Sequence, residues 1–254
     1  MTDIVEIRGV RIGEGIPKII VPIVEVTRKE IIRKAESLTK VRGDIVEWRA
    51  DWFEEAADPA AVDEVLRELR GALGNTPLLF TFRTLREGGE KAIAPQDYAA
   101  LNISVAKSGF ADLIDVEIFT GDEIVREIIE SAHEEGVKVV GSSHDFDRTP
   151  EKDEIVGRLR KMQQMGADIP KIAVMPQSRK DVLTLLLATE EMTAEYADRP
   201  IITMSMSGTG LISRLCGEVF GSSCTFGAVG KVSAPGQMNV EDLDTVLELI
   251  HKGL

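Results

Sequence analysis

The chain has 254 residues, a length typical of one (β/α)8 barrel and also compatible with two small domains. Hydrophobic residues make up 43% of it, which is enough for a large core without a metal or disulfide staple. The formal net charge is −13 and no basic stretch dominates, so we expect no nucleic-acid partner. A small anionic ligand remains compatible with this charge if a few arginines are concentrated in one place.

The two cysteines and the N-terminus indicate the compartment. Seven residues separate Cys216 from Cys224, a spacing that matches neither a metal knuckle nor a redox CxxC pair, so we expect reduced core residues. The N-terminus lacks a basic-then-apolar signal pattern, and no apolar run approaches the length of a membrane span. We therefore expect a cytoplasmic protein that does not bind a membrane.

Short apolar runs alternate with amphipathic helical stretches along the whole chain. Their starts lie about 25 to 35 residues apart, the length of one strand–helix unit with its loops. The predicted strands are 18–23, 44–49, 78–83, 113–117, 137–142, 171–175, 201–206 and 225–228.

The intervening stretches carry signals for the starts of helices. Asp58-Pro59 is typical of an N-cap followed by proline at the first helical position, and Thr149-Pro150 has the same form. No Pro/Gly/Ser-rich linker divides the chain. Eight uninterrupted units favour an α/β fold with one (β/α)8 TIM barrel domain over residues 1–254, rather than a doubly wound open sheet. The first sixteen residues do not fit this repeat, and we predict that they form a β-hairpin closing the bottom of the barrel.

Several predicted strands carry polar residues where a barrel strand is usually apolar. Successive residues of a barrel strand point alternately inward and toward the helices, so every second residue shares a side. Most of these polar residues come at the C-terminal ends of the strands, where barrel enzymes build active sites. Terminal charges that merely meet solvent are the alternative. The inward-facing polar residues are Glu47, Arg49, Asp51, Thr81, Arg83, Asp115 and Glu117.

Lys171 stands at the start of an otherwise apolar strand. It either extends to the barrel rim or lies in a desolvated pocket. Desolvation lowers the pKa of an amine and frees its lone pair, as imine formation with a carbonyl requires. Because Lys171 comes early in the predicted strand, its amine has to extend through the barrel centre to act at the C-terminal end.

His144 directly follows a predicted strand and is flanked by Ser143 and Asp145. This position makes it the candidate for proton transfer, with a purely structural histidine as the alternative. We expect His133 and His251 to be solvated. No second histidine lies in ligand spacing, so we expect no metal site.

The segment 231–237 follows the last predicted strand and has the composition of a mobile lid with polar tips. Loops after the last two barrel strands often hold anionic groups, and Arg214 in the preceding helix could supply positive charge. The run Ser207-Gly208-Thr209-Gly210 is a weak phosphate motif that could equally be only the start of a helix.

Taken together, these segments resemble the type I 3-dehydroquinate dehydratases, in order and over essentially the whole chain. The stretches around the histidine and the lysine are the most specific to that family. The matching stretches are Glu47-Trp48-Arg49, Thr81-Phe82-Arg83, Glu87-Gly88-Gly89-Glu90, Ser143-His144-Asp145-Phe146, Pro170-Lys171-Ile172-Ala173, Thr203-Met204-Ser205-Met206 and Ser233-Ala234-Pro235-Gly236-Gln237.

The resemblance implies dehydration of 3-dehydroquinate to 3-dehydroshikimate, a step of the shikimate pathway toward aromatic amino acids that quinate breakdown also uses. It implies a homodimeric barrel that needs no metal or organic cofactor. Lys171 would form a Schiff base with the C3 ketone of the substrate. His144 would remove a proton from C2 and help the C1 hydroxyl to leave, and Glu87 would orient His144.

The resemblance also assigns the remaining contacts to the substrate. Arg214 would bind the carboxylate, with Ser233 and Gln237 closing over it. The hydroxyls would be held by Glu47, Arg49 and Arg83, and an apolar wall would be formed by Met204 and Met206. One departure puts a contact in doubt, because some members have a serine on the first strand where this chain has Pro22.

Two other functions fit parts of the pattern. Another Schiff-base barrel enzyme, such as a class I aldolase, would share the fold and the lysine but cleave a carbon–carbon bond. The weak phosphate motif and the histidine segment count against it. A catalytically inactive barrel used as a binding or regulatory module is the second alternative, and the presence of Lys171, His144 and Glu87 argues against it.

Overall fold

A computed structural model describes residues 3–254, and its central feature is a curled parallel sheet. A short antiparallel hairpin precedes this sheet, with strands β1 (Val5–Ile7) and β2 (Val10–Ile12). The sheet consists of β3 (Lys18–Ile23), β4 (Ile45–Arg49), β5 (Leu78–Thr81), β6 (Leu113–Glu117), β7 (Lys138–Asp145), β8 (Ile169–Val174), β9 (Ile202–Ser205) and β10 (Cys224–Ala228). A two-residue strand, β11 (Met238–Asn239), pairs in parallel with the end of β10.

Helices follow the strands of the sheet and cover its outer surface. They are α1 (Arg28–Leu38), α2 (Pro59–Leu73), α3 (Pro95–Lys107), α4 (Asp122–Glu134), α5 (Lys152–Gln164), α6 (Arg179–Glu191), α7 (Leu211–Leu215), α8 (Gly217–Phe220) and α9 (Val240–His251). Short 3₁₀ turns follow β4 and β5, at Ala50–Trp52 and Leu85–Glu87. The helix α6 continues into one π-helical turn, Met192–Tyr196.

The sheet closes into a ring where the start of β9 meets the start of β10. The N–H of Lys18 on β3 donates to Ser223 at 2.9 Å, and the N–H of Ser223 donates to Ile201, just before β9, at 2.8 Å. These bonds join β9 to β3 through the start of β10 and complete the ring. The predicted (β/α)8 TIM barrel is confirmed.

The strand predictions match the structure closely, with two differences that move important residues. The strands β3 and β6 have the predicted bounds at both ends. Strand β7 runs three residues beyond its predicted end, so His144 lies inside the strand, paired with Ala173, rather than after it. Strand β8 begins at Ile169, so Lys171 is its third residue and not its first. Pro170 lies within the strand opposite Gly141 and does not delay its start.

One of the two predicted helix caps is wrong. Asp58 caps α2 as predicted, accepting a hydrogen bond from the N–H of Ala60, with Pro59 at the first position. The helix α5, however, begins at Lys152 after an N-cap at Glu151. The hydroxyl of Thr149 donates instead to the carbonyl of Met175 at 3.0 Å. Thr149 therefore ties the loop after β7 to the end of β8, and Pro150 lies outside the helix.

Two separate apolar clusters stabilise the fold. The larger one lies between the sheet and its helices, and Trp48, Phe80 and Tyr98 are its largest side chains. The second fills the barrel interior at the N-terminal ends of the strands, where hairpin residues such as Ile12 pack against Ile20 and Ile45. The predicted hairpin thus lies where it was expected. Across residues 3–254, no helix combines the length and apolar character that crossing a membrane requires.

Candidate active site

A pocket opens at the C-terminal ends of the barrel strands. The structure brings every residue that the sequence singled out for a site to the wall of this one pocket. These residues are Glu47, Arg49, Arg83, Glu87, His144, Lys171, Met204, Met206, Arg214, Ser233 and Gln237.

Lys171 lies at the floor of the pocket in the centre of the barrel. Its side chain is 4% exposed, and its Nζ donates to Oδ2 of Asp115 at 3.0 Å. The same Nζ lies 4.9 Å from the centre of the Phe226 ring on β10. The amine is therefore held in place by one carboxylate and one aromatic face, within reach of the pocket above it.

Asp115 connects Lys171 to a second buried cation, Arg83. Oδ1 of Asp115 accepts from Nη2 of Arg83 at 2.7 Å and from the hydroxyl of Ser142 at 2.5 Å. Burial opposes the ionisation of Asp115, but Arg83 and Lys171 outweigh it and hold its pKa well below the usual range. Asp115 is consequently a fixed negative charge directly beside the lysine amine.

Arg83 is anchored from three sides and cannot easily turn away from the pocket. Besides Asp115, it donates to Oε1 of Glu117 at 3.0 Å, while Glu117 is itself fixed by the N–H and the hydroxyl of Thr84. Oε2 of Glu87 lies 3.6 Å from the guanidinium. Burial works against its charge, but these carboxylates raise the pKa of Arg83 further above its ordinary value.

His144 and Glu87 form a buried pair at the side of the pocket. One carboxylate oxygen, Oε2 of Glu87, lies 3.0 Å from Nδ1 of His144 and accepts from the His144 backbone N–H at 3.0 Å. Because both contacts come from the same residue, the carboxylate fixes the ring orientation as well as the position of its backbone. This leaves Nε2 as the ring nitrogen available for proton transfer.

The environment of this pair disfavours additional charge. Burial, followed by the nearby cations Arg83 and Lys171, lowers the pKa of His144 well below its ordinary value. Burial, followed by repulsion from Glu117, raises the pKa of Glu87 to about 8. Since the two groups share one hydrogen bond, they titrate as a unit in which His144 remains a neutral base near neutral pH.

One ion pair and one hydrogen bond fix the side chains on the wall formed by β4 and β5. Arg49 makes a two-pronged contact with Asp51, with both nitrogen–oxygen distances at 2.8 Å, and Asp51 is fully buried. Glu47 accepts from the hydroxyl of Thr81 at 2.9 Å. Each side chain thus has its orientation set by a neighbour and presents its remaining polar atoms to the pocket.

Arg214 is a buried cation with a different environment. It is 2% exposed, and its closest polar contacts are the carbonyl of Pro235 at 3.1 Å and the sulfur of Met204 at 3.6 Å. Its Nε has no hydrogen-bond partner. Burial without a compensating carboxylate lowers the pKa of its guanidinium to about 10. Such a site is prepared for an anion from outside the protein.

The segment 231–237 covers the pocket beside Arg214. Its two polar ends bond to each other, since Gln237 accepts from the N–H of Ser233 at 2.9 Å and donates to its hydroxyl at 2.8 Å. The backbone at Gly236 has a φ of 82° and packs so closely on Ser207 that a Cβ would lie 2.4 Å from the Ser207 carbonyl oxygen. Glycine at this position is required for the segment to lie over the pocket.

Sequence reasoning placed Asp115 inside the barrel but missed its contact with Lys171, because β6 and β8 are not adjacent in the sheet. The alternation of residues along β6 indicated that Asp115 faces inward. It could not indicate which side chain from another strand Asp115 contacts. It also missed Phe226 and Phe146, two of the pocket's apolar walls, since neither stands out among core aromatics. Within residues 3–254, no group of three or more His, Cys, Asp or Glu side chains is arranged to hold a metal ion.

Known proteins with a similar sequence belong to the family that the sequence motifs indicate. The family model described as type I 3-dehydroquinase matches residues 19–253. The chain belongs to the type I 3-dehydroquinase family. A 3-dehydroquinate dehydratase from Clostridioides difficile (strain 630) is 56% identical over 250 residues, covering 98% of each chain.

Solved structures of the type I 3-dehydroquinase family superpose on the whole barrel. A type I 3-dehydroquinate dehydratase from Clostridium difficile, solved with covalently modified comenic acid, matches with a TM-score of 0.98 at 55% identity and covers 100% of both chains. The 3-dehydroquinate dehydratase of Geobacillus kaustophilus HTA426 matches with a TM-score of 0.95 at 38% identity, covering 98% of this chain and 97% of that one.

Proposed function

We propose that this enzyme, a hydro-lyase, dehydrates 3-dehydroquinate to 3-dehydroshikimate in the shikimate pathway through a Schiff base on Lys171. Family membership over nearly the whole chain supports the reaction. The observation that carries the mechanism is the position of the Lys171 amine, buried at the pocket floor 3.0 Å from Asp115. A carbonyl that enters the pocket meets this amine, with His144 on the pocket wall.

Imine formation uses the charges around Lys171. The amine nitrogen attacks the C3 ketone carbon, and the carbonyl oxygen leaves as water, which gives a protonated C=N bond on Lys171. Asp115 faces this iminium with a fixed negative charge and offsets it where both side chains are almost fully buried. The iminium then withdraws electrons from the neighbouring C2–H bond and makes that proton acidic.

His144 carries the proton from C2 to the oxygen of the departing C1 hydroxyl. Its neutral ring removes the C2 proton, and the electron pair moves through the C2–C3 bond to the iminium nitrogen to form an enamine. The electrons return to expel the C1 hydroxyl, which takes the proton from His144 and departs as water. Hydrolysis of the remaining imine releases the product and regenerates Lys171. Glu87 orients His144 throughout and compensates its charge while it is protonated.

The polar groups around the pocket suit a hydroxylated carboxylic acid. Arg214 binds the carboxylate, because it is the buried cation whose contacts are a carbonyl and a sulfur rather than an acid. Ser233 and Gln237 close over that carboxylate from the covering segment. The substrate hydroxyls contact Glu47, Arg49 and Arg83, and the apolar wall of the pocket is formed by Met204 and Met206.

The resemblance to the family extends this proposal beyond the reaction itself. The chain acts as one catalytic domain over residues 1–254, in the cytoplasm, and as a homodimer. The mechanism uses side chains of the barrel for every proton and electron transfer, so the enzyme works without a metal or organic cofactor.

Conversion of 3-dehydroquinate by the purified protein tests the proposed reaction. The product is a conjugated enone, so its formation raises the ultraviolet absorbance, and chromatography identifies it as 3-dehydroshikimate. An aldolase would instead release two smaller carbonyl compounds without this absorbance. A folded protein that leaves 3-dehydroquinate unchanged contradicts the proposal.

A further inference from the structure

The segment 231–237 that covers the pocket, here called the covering segment, is attached to the barrel at several points. After its last residue the chain enters β11, which pairs with the end of β10. In its middle, the carbonyl of Pro235 accepts from the N–H of Ser207 at 3.2 Å. Its first residue, Lys231, follows a tight turn at Gly230, where φ is 76°. The position of Lys231 therefore sets the direction in which the covering segment leaves this turn.

Lys231 is exposed, yet its ammonium group is held by two parts of the barrel. Its Nζ lies 3.9 Å from the centre of the Trp52 ring, the shortest of the cation–aromatic contacts found within residues 3–254. The same Nζ donates to the carbonyl of Val24, just after β3, at 3.2 Å. Tryptophan is the best aromatic partner for a cation. The contact therefore fastens the start of the covering segment to the ends of β3 and β4.

Trp52 is a rigid support for this contact. It is the last residue of the 3₁₀ turn that follows β4. Nζ of Lys91 donates to the backbone carbonyls on both sides of Trp52, at 2.7 Å for Asp51 and 2.6 Å for Phe53. The side chain of Asp51 in turn holds Arg49 on the pocket wall. The support of the covering segment is therefore continuous with the wall of the pocket.

The contact lies outside the pocket but close to it in sequence. Within residues 3–254, the pocket wall includes Ser233 and Gln237 but neither Lys231 nor Trp52. Ser233 comes two residues after Lys231, and both its N–H and its hydroxyl bond to Gln237. Release of Lys231 from Trp52 would free the start of the covering segment and, with it, the two polar groups that lie over the pocket.

We propose that Lys231 and Trp52 are positioning residues. The contact between the ammonium and the indole ring anchors the covering segment, and so places Ser233 and Gln237 over the substrate carboxylate. Because the two residues act through the segment, they affect substrate binding more than the chemical step. The turn that carries Trp52 also fixes Arg49, so the contact joins the region that binds the carboxylate to the region that binds the hydroxyls.

Hydrogen–deuterium exchange of the full chain, read by mass spectrometry, tests the anchor without any substrate. Lys231→Met removes the charge and keeps a similar length, so the amides of the covering segment should exchange about three- to tenfold faster. Lys231→Arg keeps a cation over the ring and should exchange as slowly as the unmodified protein. Arg160→Met is the matched control, because it removes a cation that lies 4.4 Å from the Tyr196 ring and outside the pocket. It should leave exchange in the covering segment unchanged.

Steady-state kinetics with 3-dehydroquinate separates positioning from a general structural role, and this readout rests on the proposed function. In Lys231→Met, KM should rise about three- to tenfold while kcat stays within about twofold. Trp52→Leu should raise KM to a similar degree. The variant with both substitutions should show no further rise, since either one already breaks the same contact. Trp52→Phe keeps an aromatic face and should raise KM less than Trp52→Leu, which separates loss of the contact from a damaged fold.

Three results would overturn the proposed anchor. They are unchanged exchange in Lys231→Met, exchange in Lys231→Arg as fast as in Lys231→Met, and additive effects of the Lys231 and Trp52 substitutions on KM. A protein that leaves 3-dehydroquinate unconverted contradicts the proposed function instead. The exchange experiment needs no substrate, so it still decides whether Lys231 holds the covering segment.

Discussion

The lower and upper halves of the barrel interior differ sharply, although the same strands build both. On five neighbouring strands, an apolar inward residue is followed two positions later by a polar one. On the three remaining strands, the inward residue two positions later is again apolar. The five pairs are Ile45 and Glu47, Leu79 and Thr81, Leu113 and Asp115, Val140 and Ser142, and Ile169 and Lys171, and the three are Ile20 and Pro22, Ile202 and Met204, and Cys224 and Phe226.

The lower layer mainly stabilises the fold, and the upper layer mainly serves the reaction. The lower layer, covered by the hairpin, buries aliphatic side chains and contributes to the free energy of folding. The upper layer buries ionic groups whose desolvation costs as much as their pairing returns. Its value lies in fixed charges around Lys171. Substitutions in the two layers should accordingly have opposite effects on stability and turnover.

The largest expected effect on turnover comes from Lys171→Met in the upper layer. Methionine has a similar length but no amine, so the covalent route is lost. We expect kcat to fall by about 10⁴- to 10⁶-fold, the range for removal of a covalent nucleophile. The absorbance assay with 3-dehydroquinate measures it. The matched control is Lys161→Met on α5, which removes a surface amine paired with Asp122 and should leave kcat unchanged.

Asp115→Asn should have the next largest effect. The substitution leaves Lys171 and Arg83 without their shared carboxylate and the iminium without its compensating charge. We expect kcat to fall by about 10²- to 10³-fold, as for the loss of one electrostatic contact in other enzymes. Trapping with borohydride should show slower imine formation.

The lower end of the barrel offers a control for Asp115. Asp168 pairs with Lys138 and accepts from the N–H of Val139, far from the pocket. Asp168→Asn should reduce the free energy of unfolding without a change in kcat. Equal losses of kcat in Asp115→Asn and Asp168→Asn would show that the charge beside Lys171 has no special role.

The dependence of kcat/KM on pH tests the His144–Glu87 pair. The raised pKa of Glu87 means that the pair loses its proton near pH 8. Above that pH the ionised carboxylate stabilises the imidazolium that forms when His144 takes the C2 proton, so kcat/KM should rise through a midpoint near pH 8. In Glu87→Gln this rise should disappear, and kcat should fall about 10²-fold. A step near pH 8 that survives in Glu87→Gln would assign it to another group.

The smallest effect on turnover is expected for Ile12→Ala in the hairpin. Ile12 is fully buried against the lower layer, so the truncation leaves a cavity and should lower the free energy of unfolding by about 2–5 kcal/mol. Denaturant unfolding measures this change, and kcat should remain within about twofold, since the pocket lies at the other end of the barrel. Loss of activity at a temperature where Ile12→Ala is folded would break the separation of the two layers.

The sequence predicted the barrel well because its strand and helix periodicities are local. Alternation along each strand predicted that Glu47, Arg83 and Asp115 point into the barrel. The rule that barrel enzymes build their sites at the C-terminal ends of the strands predicted one shared site, and Glu47 and Arg83 do line the same pocket. Thr149 was assigned wrongly to a helix cap, because its hydroxyl bonds to Met175 on the next strand, a partner that local sequence does not show.

The least predictable features depend on contacts across the barrel. Lys171 was expected to extend upward from the start of its strand, whereas it is the third residue of β8 and lies directly above the apolar layer. Its partner Asp115 comes from a strand two positions away in the sheet. Both side chains point into the barrel from either side of β7 and meet at 3.0 Å, a contact that spacing along the chain does not predict.

Reductive trapping tests the central claim most directly. The protein is mixed with 3-dehydroquinate, treated with borohydride, digested and analysed by mass spectrometry. The mechanism predicts a substrate-derived mass on the peptide that contains Lys171 and loss of activity in proportion to that mass, with no adduct in Lys171→Met. Turnover of 3-dehydroquinate without any adduct on Lys171, or an adduct on another lysine that accounts for the lost activity, would contradict it.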